Sequence, residues 1–487
     1  MQPYKKFVTD IFLSGWIDIL NNVKNFALIP ILTKSLGLTE YGIWVQMKIF
    51  LPFLVPLAML GMSHAIVRYL SGDTDRTKVG GEFSSIAIFT VCNGLFLCCI
   101  LWFLSRPISA LILHDKNLYY LIRLFGVLMV CEALSVLALS YFRSFREMKL
   151  YSAISFFEIC LEFSGILFMV HAGYGFLGAA LAMVAVRAFF VYVKFSRIYR
   201  HVDFAFAPAA ALKKFISFSL PLLISAHLFY IVDSGDKYIV NYFLGLEQSA
   251  VYSLAYSLAY TVVLITAPVI YILHPAIAAC CNSGKRDEAR VYISYSYKFF
   301  IIVGIPYCLL LALFARDLVV LISTNDYVAS ARYMPFLLIA FLIFQVGVIS
   351  EYINIVFNRT LFVLFLHAGL AVFNVVMNIV LVPRFHLMGA VITSAATYCA
   401  FCAINIAYSR QFLRFPLEPG RVAFVAAIAA GLAVGINSIP MPILGKLSLA
   451  VPVCAVAYVV ALRATGIITR KEVDFVRSLM GRKQAAI

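Results

Sequence analysis

The chain has 487 residues, 63 % of them hydrophobic, and a mean hydropathy of +0.95, which together exclude a soluble globule. Only 13 % of residues are charged, yet the net charge is +16. The longest polar connections, around 65–84 and 197–214, leave no room for a soluble catalytic domain.

In chain order, apolar runs at 11–33, 42–63, 85–104, 118–140, 150–171, 174–196, 215–242, 250–275, 295–315, 333–354, 361–383, 388–409, 421–440 and 445–463 read as fourteen membrane spans. Backbone in lipid must satisfy its own hydrogen bonds, so spans of this length are helices and the chain is an all-α polytopic membrane protein. The first span holds Asp18, Asn21, Asn22, Lys24 and Asn25 and lacks a small-residue cleavage site, so it reads as a retained helix rather than a signal peptide. Lys and Arg crowd one set of connections (Arg68, Arg76, Lys78, Arg143, Arg146, Lys194, Arg197, Lys285, Arg290, Arg410) and the C-terminal tail, while the opposite set is sparse. The positive-inside rule puts the crowded side, with both termini, in the cytoplasm of a cell inner membrane. The same bias accounts for the net charge without a nucleic-acid partner and gives a face that attracts anionic lipid.

Charges inside the spans are the informative exceptions, because each costs about 2.5–3.5 kcal/mol at the centre of a membrane helix. Asp18, Asn21, Asn22 and Asn25 fall on one helical face, which cannot look at lipid and so lines a cavity or a polar seam. Lys24, Lys48, Arg123 and Arg187 come from spans one, two, four and six and could together bind a pyrophosphate; alternatively each neutralises a nearby acid or snorkels. Glu158 and Glu162, one turn apart, with Glu132 as a third member, could couple transport to a proton or sodium gradient, or could pair with Lys24 or Arg187. Asp233, Asp236 and Lys237 in span seven suggest either an intrahelical ion pair between Asp233 and Lys237 or a second cavity wall. Pro221, Pro268 and Pro306 could kink their spans. The eleven cysteines and the histidines His227, His274 and His367 show no ligand spacing, so neither a metal nor a cofactor is expected.

The segment Leu36-Gly37-Leu38-Thr39-Glu40-Tyr41 after span one is echoed by Leu244-Gly245-Leu246-Glu247-Gln248-Ser249 after span seven, and at the same offset Asn25 pairs with Asp233. Six spans separate the copies, so the repeats share one orientation and are related by an axis along the membrane normal. Expected divisions are therefore 1–200 (spans one to six), 201–414 (seven to twelve) and 415–487 (the last two spans and a tail), with Pro416 and Pro419 at the final boundary.

Several short stretches carry a family resemblance: Pro30-Ile31-Leu32-Thr33, Glu40-Tyr41-Gly42-Ile43-Trp44, Ala65-Ile66-Val67-Arg68-Tyr69, Tyr141-Phe142-Arg143-Ser144-Phe145-Arg146, Asp236-Lys237-Tyr238 and Pro383-Arg384 before Gly389-Ala390. They resemble the Wzx-like polysaccharide flippases of the multidrug/oligosaccharidyl-lipid/polysaccharide exporter superfamily. The sequence departs at Ala250, where that family commonly has glycine. The resemblance implies two six-helix lobes in a V that opens alternately to either side, plus two C-terminal helices. It further implies an undecaprenyl-pyrophosphate-linked oligosaccharide as substrate, no enzymatic step, and a polysaccharide polymerase and chain-length proteins as partners. Lys24, Lys48, Arg123, Arg187, Asn21, Asn25 and Lys237 would then bind substrate, and Glu158, Glu162, Glu132, Asp18, Asp233 and Asp236 would couple the ion. A MurJ-type lipid II flippase or a MATE-type drug/cation antiporter would share much of this pattern. Asp73-Thr74-Asp75 has the form of a glycosyltransferase metal motif, but beside Arg76 in a short loop it reads as solvated.

Overall fold

The computed structural model describes residues 2–71, 75–206, 208–413, 419–438, 445, 448 and 451–465, and every secondary-structure element among them is helical. We number the crossing helices α1 (Gln2–Ser35), α2 (Leu38–Ala58), α3 (Arg76–Phe103), α4 (Tyr119–Ser144), α5 (Met148–His171) and α6 (Gly175–Ile198). After them come α7 (209–244), α8 (246–259, continuing as Thr261–Asn282), α9 (Arg286–Phe299, continuing to Leu313) and α10 (Met334–Val356). The last four are α11 (Thr360–Phe385), α12 (Leu387–Ser409), α13 (Pro419–Ser438) and α14 (Val451–Ala464).

Helices extend beyond several of the apolar runs, because their first turns lie outside the hydrocarbon and are stabilised by polar groups. Asp75 caps α3 by accepting from the amides of Thr77 and Lys78 at 3.0 and 3.1 Å. Asp287 and Glu288 sit in the first turn of α9, where carboxylates favour the helix dipole. The proline kinks take other forms than the sequence suggests. Pro221 lies within unbroken helix, and the chain reverses instead at Gly245, whose φ of +85° suits glycine. Before Pro306 the helix loosens into a π-helical segment, Phe300–Gly304, and the freed carbonyl of Ile302 accepts from Tyr458 of α14 at 2.8 Å. Pro416 lies outside the described residues.

Packing repeats along the chain. In the first lobe, α1 lies on α5, α5 on α6, α3 on α4 and α4 on α6. In the second, α7 lies on α11, α11 on α12, α9 on α10 and α10 on α12, the same pattern six helices later. The two C-terminal helices stand outside, with α13 against α9 and α14 against α13. The apolar cores show how the lobes meet. At the far end, opposite the basic connections, one cluster joins them, with Tyr41, Trp44 and Phe176 of the first lobe and Leu246, Val251 and Tyr327 of the second. At the basic end the clusters separate, Phe83, Phe142 and Ile198 in one, which also takes in Phe215 at the start of α7, and Ile277, Ile293 and Ile353 in the other. The bundle is a V whose arms part toward the basic end. Phe96, Phe103, Phe365 and Val372 remain exposed on its outside, as lipid-facing side chains do.

The far end is latched by hydrogen bonds between lobes. Thr39 donates to Glu247 at 3.2 Å, Gln46 to Ser249 at 2.9 Å, and Asn241 to the carbonyl of Ile112 at 2.6 Å. Lys34 and Thr33 reach the carbonyls of Leu321 and Ile322 at 2.8 and 3.2 Å. Thr39 and Glu247 occupy equivalent positions of the two repeats, so a pseudo-twofold axis passes through their contact. Beside it a Cβ on Gly42 would lie 2.5 Å from the carbonyl oxygen of Leu246. Gly42→Val should therefore force the far ends apart. Paired cysteines at Thr39 and Glu247, in a background lacking the exposed Cys92, Cys99, Cys160 and Cys399, are expected to join readily through a short bis-maleimide. Adding Gly42→Val should lower that yield several-fold, and an unchanged yield would contradict a tight latch.

Candidate functional site

Most of the in-span charges fall into two groups with different surroundings. The first is a buried ion lattice inside the first lobe. Arg187 of α6 reaches three carboxylates, with Nε 2.7 Å from Glu132, Nη1 2.8 Å from Glu158 and Nη2 3.0 Å from Glu162. Lys24 of α1 lies 2.8 Å from Glu162. Lys194, fully buried on α6, lies 2.6 Å from Glu158 and 2.5 Å from the hydroxyl of Ser135. Three cations therefore meet three acids. The Arg187–Glu158 and Lys24–Glu162 contacts are aligned as hydrogen bonds, whereas Glu132 and the second oxygen of Glu162 are held by charge alone.

The second group lines a cavity of about 360 Å³ between the lobes. Its walls are Asn22, Asn25, Lys48 and Pro52 from α1 and α2, and Tyr230, Asp233, Ser234, Lys237, Tyr256 and Tyr260 from α7 and α8. The repeat is visible in this lining: Asn22 faces the axis as Tyr230 does, Asn25 as Asp233, Lys48 as Tyr256, and Pro52 as Tyr260. Asp18 and Asn21 continue the polar stripe of α1 as exposed residues toward the basic end. Lys48 makes no ion pair with a described residue; its ammonium sits 5.1 Å from the centre of the Trp44 ring. Lys48 and Pro52 also border a second cavity of about 390 Å³, which reaches Glu132 and Arg187.

On α7 the carboxylates meet hydroxyls instead of cations. Asp236 is buried, bonded to Tyr252 and to Ser394, the latter at 3.0 Å. Asp233 accepts from Tyr256 at 3.0 Å and from Ser234 at 3.1 Å. The intrahelical ion pair expected from the Asp233–Lys237 spacing is not formed. Lys237 turns its ammonium over the Tyr256 ring, 3.4 Å from the centre, and within 3.3 Å of Ser234, touching only the backbone carbonyl of Asp233, at 3.5 Å. Asn374 and Asn378 extend this polar core toward Thr397.

Of the expected substrate residues, the structure brings Asn25, Lys48 and Lys237 to the central cavity, while Asn21 lies exposed beside it. Lys24 turns into the ion lattice, and Arg187 spends its guanidinium there, one edge reaching the second cavity. Arg123 is elsewhere: at the far end it stacks between Trp102 and Tyr119, at 5.3 and 4.8 Å, and bonds Ser105 at 3.3 Å. Lys194 was hidden from the sequence because it stands near a span end among basic residues. Its position seven residues after Arg187, on the same helical face, is the signal that could have found it.

His227 is a packed interlobe residue, its ring nitrogens 2.9 Å from the carbonyls of Leu223 and Phe53, and His367 lies 3.3 Å from Glu351. Asp73 and Thr74 lie outside the described residues, as does the side chain of His274, and Asp75 acts as the cap of α3. No metal-ligating cluster occurs among the described residues.

Comparison with solved structures agrees with this architecture. The chain superposes on a lipid II flippase, MurJ, in an inward closed conformation with a TM-score of 0.73 and 11 % identity, covering 97 % of this chain and 100 % of that one. An inward-facing multidrug resistance MATE family transporter of the MOP superfamily gives 0.64 at 14 % identity over 84 % and 96 %, and an outward-facing one 0.54 at 15 % over 86 % and 95 %. At these identities the likeness is one of fold. No curated protein matches the sequence. The profile of the polysaccharide biosynthesis protein family matches residues 31–332, most of the chain, and the chain therefore belongs to that family.

Proposed function

We propose that the protein flips an undecaprenyl-pyrophosphate-linked oligosaccharide repeat unit, such as an O-antigen unit, from the cytoplasmic to the outer leaflet of the inner membrane by alternating access. The observation that carries this reading is the interlobe cavity, where Lys48 and Lys237 present cations without ion-pair partners among the described residues, beside Asn22, Asn25 and four tyrosines. Bare transfer of a pyrophosphate across about 30 Å of hydrocarbon is prohibitive because its hydration is lost. The cavity supplies ammonium groups to the phosphates and amide and phenol groups to the sugars, while the polyprenyl chain stays in lipid. In this reading the basic end is cytoplasmic, so the described state is open inward and latched outward, and no bond is made or broken.

The coupling role falls in this proposal to Asp233 and Asp236, whose carboxylates are bonded by hydroxyls, whereas Glu132, Glu158 and Glu162 are committed to cations. Asp236→Asn should abolish dependence of transport on a proton or sodium gradient while leaving the folded yield intact. Unchanged gradient dependence would move coupling elsewhere. For the function itself, mass spectrometry of lipid extracts from a gene-deleted host should show polyprenyl-pyrophosphate oligosaccharide accumulating, with surface polysaccharide lost and restored by the gene. Normal lipid intermediates in a strain without a redundant flippase would overturn the proposal.

A further inference from the structure

The sequence stretches around Arg68 and Arg143 are remote from each other, yet the fold brings them to one place. After α2 ends at Ala58, the chain breaks at Leu60 and Gly61 and resumes as a short helix, Met62–Ala65, that runs into a π-helical turn, Ile66–Leu70, where Val67 and Arg68 face the end of α4 and the start of α7. There a cavity of about 460 Å³ is lined by Ser63, His64, Val67, Arg68, Arg143, Phe218 and Leu222, at the basic end where α7 meets the first lobe.

Neither arginine forms a close ion pair with a described residue, although the Asp18 carboxylate of α1 lies near enough to Arg143 to act on it through space. Arg68 lies over Phe218 at 4.6 Å and beside Tyr69 at 5.8 Å. Stacking fixes the plane of a guanidinium and leaves its N–H edge free for two oxygens of a phosphate. Arg143 is steadied by its contact to Ser140 at 3.1 Å. Lys285 and Arg290 at the same end, exposed as Arg68 and Arg143 are, are paired to Glu288 and Asp287 within their own helix turn, at 3.0 and 2.8 Å, while Arg286 and Arg359 also lie over rings, those of Phe357 and Phe412, at 5.8 and 5.2 Å. The cavity lining is also mixed. Val67 and Leu222 are 44 and 40 % exposed and, with Phe218, supply the apolar part of the lining beside the arginines. A free phosphate has no use for such a lining, but a phosphate carried on a hydrocarbon chain does.

The cavity is connected to the central one. Ser63 and His64 border both it and the 390 Å³ cavity, and Lys48 and Pro52 border both that one and the central cavity. Cations therefore stand along a continuous path from the basic end to the interlobe axis.

We propose that Arg68 and Arg143 form a first binding station for a lipid-borne phosphate, upstream of the central cavity. The station deepens the flippase reading and, in its upstream role, rests on it; binding at the station can be tested without transport. The phosphate could belong to the pyrophosphate of the lipid-linked cargo or to an anionic phospholipid, and the chemistry of recognition is the same. The test is native mass spectrometry of the full-length protein, titrated separately with undecaprenyl diphosphate, phosphatidylglycerol and inorganic phosphate. Arg68→Gln with Arg143→Gln should weaken binding of a phosphate-bearing lipid about tenfold or more. Lys285→Gln with Arg290→Gln removes as much charge from the same face and should leave it unchanged. Arg68→Lys with Arg143→Lys, which keeps charge but loses the fork, should fall between and guards against a folding defect in the first variant.

Loss confined to undecaprenyl diphosphate assigns the station to the cargo, and loss confined to phosphatidylglycerol assigns it to a bound phospholipid. Equal loss in both charge-removal variants, no loss in either, or tight binding of inorganic phosphate alone would overturn the proposal. A deletion strain with normal lipid intermediates would reject the flippase reading without altering this binding result, so the two failures can be told apart.

Discussion

Arg187→Leu is expected to be the most destabilising single substitution in the first lobe. It would leave Glu132 without a cation and Glu158 and Glu162 with one lysine each, in surroundings where removing one partner of a buried pair costs about 3–5 kcal/mol. That is a large share of the roughly 5–15 kcal/mol that holds a typical folded domain. Lys24→Met and Lys194→Met each remove one cation from a carboxylate that Arg187 also touches, so both should cost less. Thermal unfolding in detergent should therefore rank Arg187→Leu well below both lysine variants, with Arg187→Lys between. Equal midpoints for all four would mean that the lattice does not hold the lobe together. The lattice is no general reservoir of stability, since well-packed apolar side chains can replace buried ion pairs. What it fixes is the register of α1, α4, α5 and α6, because its contacts are made only at one set of helix rotations.

Lys48→Ala should act in the opposite way, with little effect on stability and a large one on transport. Its ammonium has no carboxylate partner among the described residues, so its loss strands no buried charge. A hydrogen bond to a charged group contributes about 1.5–3 kcal/mol, which corresponds to a loss of roughly ten- to hundredfold in binding of a phosphate-bearing substrate. Lys48→Glu should go further and abolish surface polysaccharide in a gene-deleted host, and Lys48→Arg should restore most of it. The informative control is Arg123→Ala, because Arg123 is boxed in by Trp102 and Tyr119 at the far end. A transport defect as severe for Arg123→Ala as for Lys48→Ala, at equal protein level, would argue against the central cavity as the phosphate site.

Much of the fold was legible in the sequence because lipid leaves so few options. Apolar length gave the helices, and the Leu-Gly-Leu echo after α1 and α7 indicated the repeat that the cavity lining and the Thr39–Glu247 contact display. The site was less legible, for a physical reason. A one-dimensional pattern tells which residues cannot face lipid, but not whether they face a cavity or one another. Lys24 and Lys48 look alike in sequence, yet one is neutralised by Glu162 and the other faces open space. Lys237 and Asp233 have ideal helical spacing, yet the Tyr256 ring, contributed by α8, attracts the ammonium instead. Which partner wins is decided by neighbouring helices, and that information is spread over the whole chain. The same holds for Lys194, whose place near a span end concealed that it is fully buried against Glu158.

The ion lattice also constrains how the protein is made. Chain order places Glu132 on α4, then Glu158 and Glu162 on α5, and only afterwards Arg187 and Lys194 on α6. During synthesis α5 emerges with two carboxylates, for which Lys24 of α1 is the one lattice cation already made. At about 2.5–3.5 kcal/mol for each uncompensated charge, α5 is a poor candidate for release into lipid by itself. It becomes a good one when the short turn at 172–174 brings α6 alongside and the opposing charges meet. The lattice thus favours α5 and α6 entering the bilayer together, as a hairpin whose charges are already paired.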